Sequence, residues 1–535
     1  GAVDTEETDP NFNQTVLLLH GDGTNGGQNN TFIDSSSNNA SITRQSTTTQ
    51  GTFNPFLGEG QYGVFFGSGS SNDDLEFVNF NGSAFNNDGV FCVELFITKT
   101  ILGNTTIFFS SDTNDRIQVF MDTSNNFGFS LTGSSSTTFL VPSGISAGVF
   151  NHFCITRDSS NNVRGFINGV LKAYKTNITT SQELTDLHVG SQKGTDHFHR
   201  GVISNVRFVA GSMPTDYNTT ETATGTTCFT IPSEPLTLTS QGTTGNDVEL
   251  LCCQSNRFID NSNNGITPTV SNTPKVVPFS PFAPTASYSE SVHGGSGFFD
   301  GTDDVNHRSY LQIASNLSTE LTFGTGDFDL SVWLYPTIST GSRGIYEGRP
   351  GGNGVYPFMR LDGLTPKYGV DLAGSALNVN GSTACQLNAW NFVTFSRVSG
   401  TTRIFLNGTQ IASDSDSKGL LSPGTGNYPY IGAGYAPGDY FPGYMCNYRV
   451  RKGVGVTSQT VPTAPLTSDS NTQLLLDFTN ASIIDSSMKK NLETEDQAQI
   501  DTSIKKYGTG SIQFDGSDGI KIPYTPTLNF GTGDF

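Results

Sequence analysis

Apolar and polar positions alternate with period two along much of this chain, and the longest instance occurs twice. Residues 151–169 read NHFCITRDSSNNVRGFING, and residues 391–408 read NFVTFSRVSGTTRIFLNG. Each copy is an alternating run, a polar turn, a second alternating run and then Asn-Gly, a pair that tolerates positive φ. The pattern predicts a β-hairpin followed by another tight turn. In the first copy Phe153 and Ile155 point one way while Cys154 and Thr156 point the other. In the second, Val393 and Phe395 take inward places and Thr394 and Ser396 outward ones. A pattern of this length appearing twice implies a duplicated domain.

Three landmarks extend the duplication. An apolar strand followed by a polar turn opens at Thr15 (TVLLLHGDG with FIDSSSNN), at Val248 (VELLCCQSNRFIDNSNN) and at Gln473 (QLLLDFTNASIIDSSMKKN). A Gly-rich turn with an aromatic strand follows as QYGVFFGSGS, GSGFFDGTDD and GTGSIQFDGSDG. The third landmark is FNNDGVFCVELFIT, FGTGDFDLSVWLYP and the closing FGTGDF. A repeat of roughly 230 residues is far longer than a solenoid or propeller unit, so each is a whole domain. The expected division is a linker over 1–14, a first sandwich over 15–240, a second over 241–470, and the opening strands of a third, incomplete one over 471–535. The chain is expected to continue beyond Phe535.

Short strands with frequent turns and no helical period describe an all-β fold of tandem antiparallel sandwiches or jelly rolls. Residues 210–247 and 452–470 are richer in Pro, Thr and Ser and read as linkers. The one expected helix is a turn or two over 487–499. Composition agrees: 61 Gly, 39 Phe and 17 Tyr with 14% charged residues suit strands and turns. The net charge of −20, from 48 acidic and 28 basic residues without a basic stripe, argues against nucleic acid and anionic membrane as partners. No apolar run is long enough to span a bilayer, and the acidic start GAVDTEETDP reads as a linker or processed end. Seven cysteines without a C-x-x-C pair read as free thiols.

The LLLH or LLLD openings, FIDSS and IIDSS, GSGFFDG, FGTGDFDLSVWLYP, WNFVTFSR with RIFLNG, and FPGYMCNYRV together resemble the laminin-G-like, concanavalin A-like lectin/glucanase jelly roll. The likeness covers nearly all of both full repeats and the partial third. Tandem units in this Asn-, Ser- and Thr-rich style are similar to those of virion proteins of tailed bacteriophages, marine ones especially. The resemblance implies two packed curved sheets, with glycan or protein held by edge loops or the concave face, in some members through calcium.

A retaining glycosidase needs two carboxylates about 5 Å apart, which on this fold would read Glu-x-Asp-x-x-Glu. No such string occurs, nor a nucleophile elbow, P-loop or HExxH, so no enzyme is expected. Asp300, Asp303 and Asp304 in one Asp-Gly loop offer oxygens to calcium, as do Asp515 with Asp518 and Asp73 with Asp74; the same residues are also ordinary turn formers. Nothing in the sequence requires a cofactor. Before the final strand, His197, Phe198 and His199 in the first repeat, and Tyr435, Tyr440 and Phe441 in the second, are candidate ligand-binding residues, or else they close the sandwich end. The loop EGRPGGNGVYPF, 347–358, is either a binding loop or a hairpin tip. The shared Gly-x-x-x-Asn-x-Arg, with Arg207 and Arg449, is expected to pair internally, and Trp390 and Phe150 to be core.

The expectation is a non-catalytic structural or adhesive virion protein, a tail fibre, spike or decoration, located on the virion or otherwise outside the cell. Its partners would be host-surface glycan, neighbouring virion proteins, or further copies in an assembly. A purely architectural module, a bacterial surface adhesin, and an appendage of a carbohydrate-active enzyme are the alternatives.

Overall fold

In the computed structural model the described residues lie between 17 and 522, excepting short stretches such as 79–88, 279–288, 303–307 and 422–428. Strands dominate, and the described helix is confined to Glu290–His293 and three single 3-10 turns. The chain forms two compact units, one built on residues 57–285 and the other on 17–56 with 286–523. These boundaries do not follow the repeats. Each unit completes its sheets with strands from the opening of a different repeat.

In the first unit an eight-stranded antiparallel sheet has the spatial order Val170–Lys175, Val163–Ile167, Asn151–Arg157, Phe91–Ile97, Gly201–Ala210, Gly63–Phe66, Lys275–Val277, with Val248–Cys252 also on Gly201–Ala210. The facing seven-stranded sheet runs Thr269–Ser271, Asp74–Val78, Asp186–Val189, Thr106–Ser111, Gln118–Met121, Asn126–Ser130, Phe139–Pro142. The second unit repeats the plan. Its eight strands centre on Phe328–Pro336, between Asn391–Val398 and Pro442–Lys452, and its seven include Tyr310–Ile313, Tyr430–Ile431, Ser342–Glu347, Tyr356–Asp362, Thr365–Asp371 and Leu377–Asn380.

The expected hairpins form, with Phe153 opposite Ile167 and Phe395 opposite Ile404. Inward alternation holds as well. Phe153 meets the Phe108 and Phe127 rings across the sandwich, at 5.5 and 4.9 Å between centroids. Val393 and Phe395 pack with Leu330, Val332, Met359, Leu361 and Tyr368 between the second unit's sheets.

The outward positions are buried too, contrary to a plain sandwich. Thr-, Pro- and Ser-rich segments expected as linkers fold over the outer face of each eight-stranded sheet. Tyr217, Phe229 and Leu236 cover Cys154, Phe166 and Leu171 in the first unit, and Val461 and Leu466 pack on Trp333 and Trp390 in the second. Gln459 donates to Thr394 Oγ1 at 2.7 Å, and the Val456 N–H donates to Ser396 Oγ at 2.7 Å.

The repeated Gly-x-x-x-Asn-x-Arg holds this cover in place. Gly201 and Gly443 sit at φ 152° and 130°, where a Cβ would lie 2.0 Å from the Thr98 or Tyr335 carbonyl oxygen. Asn205 and Asn447 take φ near 50° at a β-bulge, and their side-chain oxygens accept the N–H of Leu236 and Leu466 in the cover. Arg207 binds Glu94 and the Thr237 and Ser240 carbonyls, while Arg449 binds the Thr467 carbonyl at 3.0 Å. The expected helix over 487–499 does not match the described residues there. Glu493–Glu495 and Gln499–Asp501 are strands, because pairing with Gly519–Lys521 and Ser511–Gln513 overrides local helix propensity.

Candidate functional site

All seven cysteines are free thiols, and burial pushes Cys154 and Cys252 up from the ordinary thiol range. Among the described residues no helix is long and apolar enough to cross a membrane, and no group of three His, Cys, Asp or Glu side chains is placed to hold a metal. Asp300 ends its strand in an Asx turn, accepting the Thr302 N–H at 3.0 Å. Asp303 and Asp304 lie outside the described residues. Asp73 accepts the Gly67 N–H at 2.7 Å.

Three of the candidate ligand-binding residues are interior ones, in keeping with the alternative that they close the sandwich end. His199 is fully buried between the Phe66 and Phe108 rings, and desolvation holds its imidazole down at about 3. Tyr440 is buried against Tyr310, and Phe441 meets the Phe299 ring within the inter-sheet core. Both read as loop residues in sequence, but the loop turns back over the sandwich end and carries its rings inward. His197 is exposed, with φ 53°, and its carbonyl accepts the Ile107 N–H. Tyr435 is 46% exposed.

Tyr435 belongs to a cluster on the outer face of the second unit's seven-stranded sheet. Alternation along Tyr356–Asp362 sends Met359 and Leu361 into the core and leaves Phe358 and Arg360 on the opposite face. Register then brings Glu347 opposite Phe358, Arg360 opposite Lys367, and Tyr356 opposite Asp371. Phe358 lies over Gly369, whose missing side chain makes the room, since a Cβ there would fall 2.1 Å from the ring.

Arg349 organises the cluster. Its Nε and Nη2 donate to the two Glu347 oxygens at 2.7 and 2.6 Å, and Nη1 donates to Asp371 at 3.4 Å. Its guanidinium lies 4.3 Å from the Phe358 ring centre and 5.4 Å from that of Tyr435. Burial pushes the Glu347 carboxyl up, against the opposing pull of Arg349. Arg360, Lys367 and Asp362 continue the surface, with Asp362 held below the ordinary carboxylate range by Arg360 and Lys367 despite partial burial. Exposed Asn378 and Asn380 close it on the next strand.

This set of an arginine plane, aromatic rings and amide and carboxylate groups on one rigid sheet suits a polyhydroxylated ligand, which combines apolar ring faces with rim hydroxyls. The sequence singles out the 347–358 loop as a whole, and the structure brings Glu347, Arg349 and Phe358 of it together in one cluster. The signal was present as Glu-Gly-Arg before the glycines and alternating aromatics after them.

The corresponding face of the first unit carries a different set. His188 Nδ1 lies 2.8 Å from Asp74 and its Nε2 lies 3.9 Å from Glu76, with Ser191 donating to the other Asp74 oxygen at 2.7 Å. Burial pulls His188 down, but the Asp74, Glu76 and Asp186 carboxylates outweigh it and hold the imidazole above its ordinary range. Asp74 and His188 are nearly closed to solvent, so this is an internal clamp.

Residues 70–215 and 306–455, more than half of the chain, match the family described as the concanavalin A-like lectin/glucanases superfamily. No curated protein matches. Among solved structures, domains LG4-5 of the mouse laminin alpha1 chain share 11% identity at TM-score 0.26, covering 79% of this chain and 95% of that one. A CBM40 module of the Ruminococcus gnavus IT-sialidase bound to alpha2,3 sialyllactose shares 12% at TM-score 0.22, covering 25% and 85%. Domain 4 of AbnA, a GH43 arabinanase of Geobacillus stearothermophilus in complex with arabinotriose, shares 15% at TM-score 0.24, covering 32% and 78%. With one matched span on each of its two jelly-roll sandwiches, the chain belongs to the concanavalin A-like lectin/glucanases superfamily.

Proposed function

We propose that this chain is a non-catalytic glycan-binding protein whose second sandwich holds sugar on the outer face of its seven-stranded sheet. The observation that carries the reading is Arg349, fixed by both Glu347 oxygens and sandwiched between buried Phe358 and half-exposed Tyr435. Tyr435 offers a ring for stacking, and Arg360, Lys367, Asn378 and Asn380 offer donors for hydroxyls or a carboxylate. Glu347 and Asp371 both engage Arg349, an arrangement that forms a charge pair rather than an acid and a base beside a substrate.

The proposed setting is a virion surface, as a tail fibre, spike or decoration, where stiff tandem sandwiches present recognition faces to a host cell. Membership in a superfamily named for lectins supports the glycan-binding part of this reading, and the virion setting rests on the Asn-, Ser- and Thr-rich tandem style of the sequence. The proposed binding uses no cofactor: the charged groups of the cluster pair among themselves, and the Asp300 carboxylate accepts the Thr302 N–H as in an ordinary Asx turn. A glycan array probed with the full chain tests the reading. Retention of defined glycans, recovered with unchanged mass and unaffected by chelator, supports it; absence of any retained glycan removes it.

A further inference from the structure

One polar contact recurs in the second unit with its partners exchanged. In the middle repeat, the Asp260 carboxylate accepts the Leu251 N–H at 3.0 Å, only nine residues earlier in the chain. Ser262 donates to the Glu249 carbonyl at 3.2 Å and Asn264 to the same oxygen at 3.0 Å. That Asp-x-Ser-x-Asn staple ties the opening strand to the polar turn after it.

The first opening makes the same staple on the third, and the third returns its aspartate contact. Asp34 accepts the Leu475 N–H at 2.9 Å, Ser36 donates to the Gln473 carbonyl at 3.2 Å, and Asn38 donates to that carbonyl at 2.8 Å. In return Asp485 accepts the Leu18 N–H at 2.8 Å. Leu251 and Leu475 are equivalent, for they lie opposite Arg207 and Arg449 respectively.

The strands that follow obey the same exchange. Thr269–Ser271 and Lys275–Val277 complete the first unit by pairing with Asp74–Val78 and Gly63–Phe66. In the second unit the matching places, on Tyr310–Ile313 and Ser296–Asp300, are filled by Ile42–Gln45 and Thr49–Gly51. Glu493–Glu495 and Gln499–Asp501 begin 8 and 14 residues after Asp485, within one residue of the 8 and 15 by which those strands follow Asp34, and they pair elsewhere.

From this we infer that residues 32–51 are an exchangeable arm, and that the edge formed by Ser296–Asp300, Tyr310–Ile313 and Thr472–Leu476 accepts the arm of a second copy of this chain. Every hydrogen bond in the staple and both strand pairings would be reproduced between copies, so the two arrangements differ chiefly in closure entropy. The intrachain staple joins residues 441 apart in sequence with a folded unit between them, so the choice between a chain's own arm and that of another copy depends on protein concentration. An exchange that swaps identical contacts is a low-cost route to oligomers.

Thr43 and Gln312 lie opposite each other on paired antiparallel strands, a spacing of about 5 Å that a disulfide can bridge. The double variant Thr43→Cys/Gln312→Cys should close within one chain, with the 43–312 linkage identified by peptide mapping to separate it from native thiols. The two single variants, unfolded in denaturant, mixed and refolded together, should give a covalent heterodimer carrying the same linkage, in a fraction that rises with protein concentration. Closure of the double variant without any heterodimer at any concentration overturns the proposal. So does failure of the double variant to close, or a Thr494→Cys/Gln312→Cys variant that closes in its place, since the chain's own later segment would then hold the edge.

Discussion

The Arg397 guanidinium lies over the Phe328 ring, 5.1 Å from its centre, and the equivalent Arg157 lies 5.5 Å from that of Phe91 in the other unit. Arg397 donates to the carbonyls of Gly324, Gly326 and Lys418 and reaches Asp416 at 3.4 Å, while remaining fully buried. It joins the loop before one strand to the loop after another. Arg397→Met should destabilise the second unit by about 3–5 kcal/mol, since it strands a buried carboxylate and three carbonyls. Arg397→Lys should recover little, because one ammonium cannot span a fork of acceptors. Urea unfolding of the variants checks both outcomes.

Acid should weaken the first unit through Glu94. Burial alone would raise this carboxyl, but Arg207, His152 and Tyr217 hold it at about 2. A carboxyl depressed in the folded state adds stability above its unfolded value of 4.5, and that stability is lost as pH falls toward 2. The span corresponds to roughly 3 kcal/mol. Buried His199, held down at about 3, acts in the same direction as it is forced to charge. Melting of wild type across this range should fall steeply, and Glu94→Gln should start lower and fall less.

Alkali should weaken the same unit through His188. Its folded value lies above 6.5, so its pairing with Asp74 stabilises fully below 6.5 and is lost as pH rises through the folded value. His188→Gln should flatten that part of the melting profile while leaving the acid limb unchanged.

Phe395→Ala and Phe166→Ala should each cost about 3–5 kcal/mol, for both rings are fully buried. They report on different layers. Phe395 lies between the sheets, whereas Phe166 lies beside Leu171 and beneath Phe229 on the outer face. Proteolysis of the 211–247 cover should therefore accelerate in the Phe166 variant and not in the Phe395 equivalent.

Strand order and inward faces were readable because period two is a local signal: Phe153, Val393 and Phe395 are where alternation puts them. The covering segments were not, since Tyr217, Phe229 and Leu466 are isolated apolar residues in Pro- and Thr-rich sequence with no period. Their anchors were visible as a repeated Asn and Arg, and Arg207 pairs with a carboxylate as expected. Tyr440 and Phe441 misled because a loop's aromatic residues carry no mark of which way the loop folds. The Arg349 cluster needed register, which brings Glu347 opposite Phe358 only once the hairpin is closed. The exchanged Asp34 and Asp485 staples were unreadable in principle, because three openings share one pattern and nothing local says which pairs with which.

Where sugar meets the protein decides whether the outer sheet face of the second unit is a binding site. Hydrogen exchange of the full chain, with and without a glycan retained on the array, should show new protection concentrated in residues 342–349, 356–371 and 430–435. Tyr435→Ala, at an exposed position, should leave melting unchanged and weaken retention about 5- to 10-fold, the loss of one stacking contact of about 1 kcal/mol. Protection placed away from that sheet face, or full-strength binding by Tyr435→Ala, would contradict it.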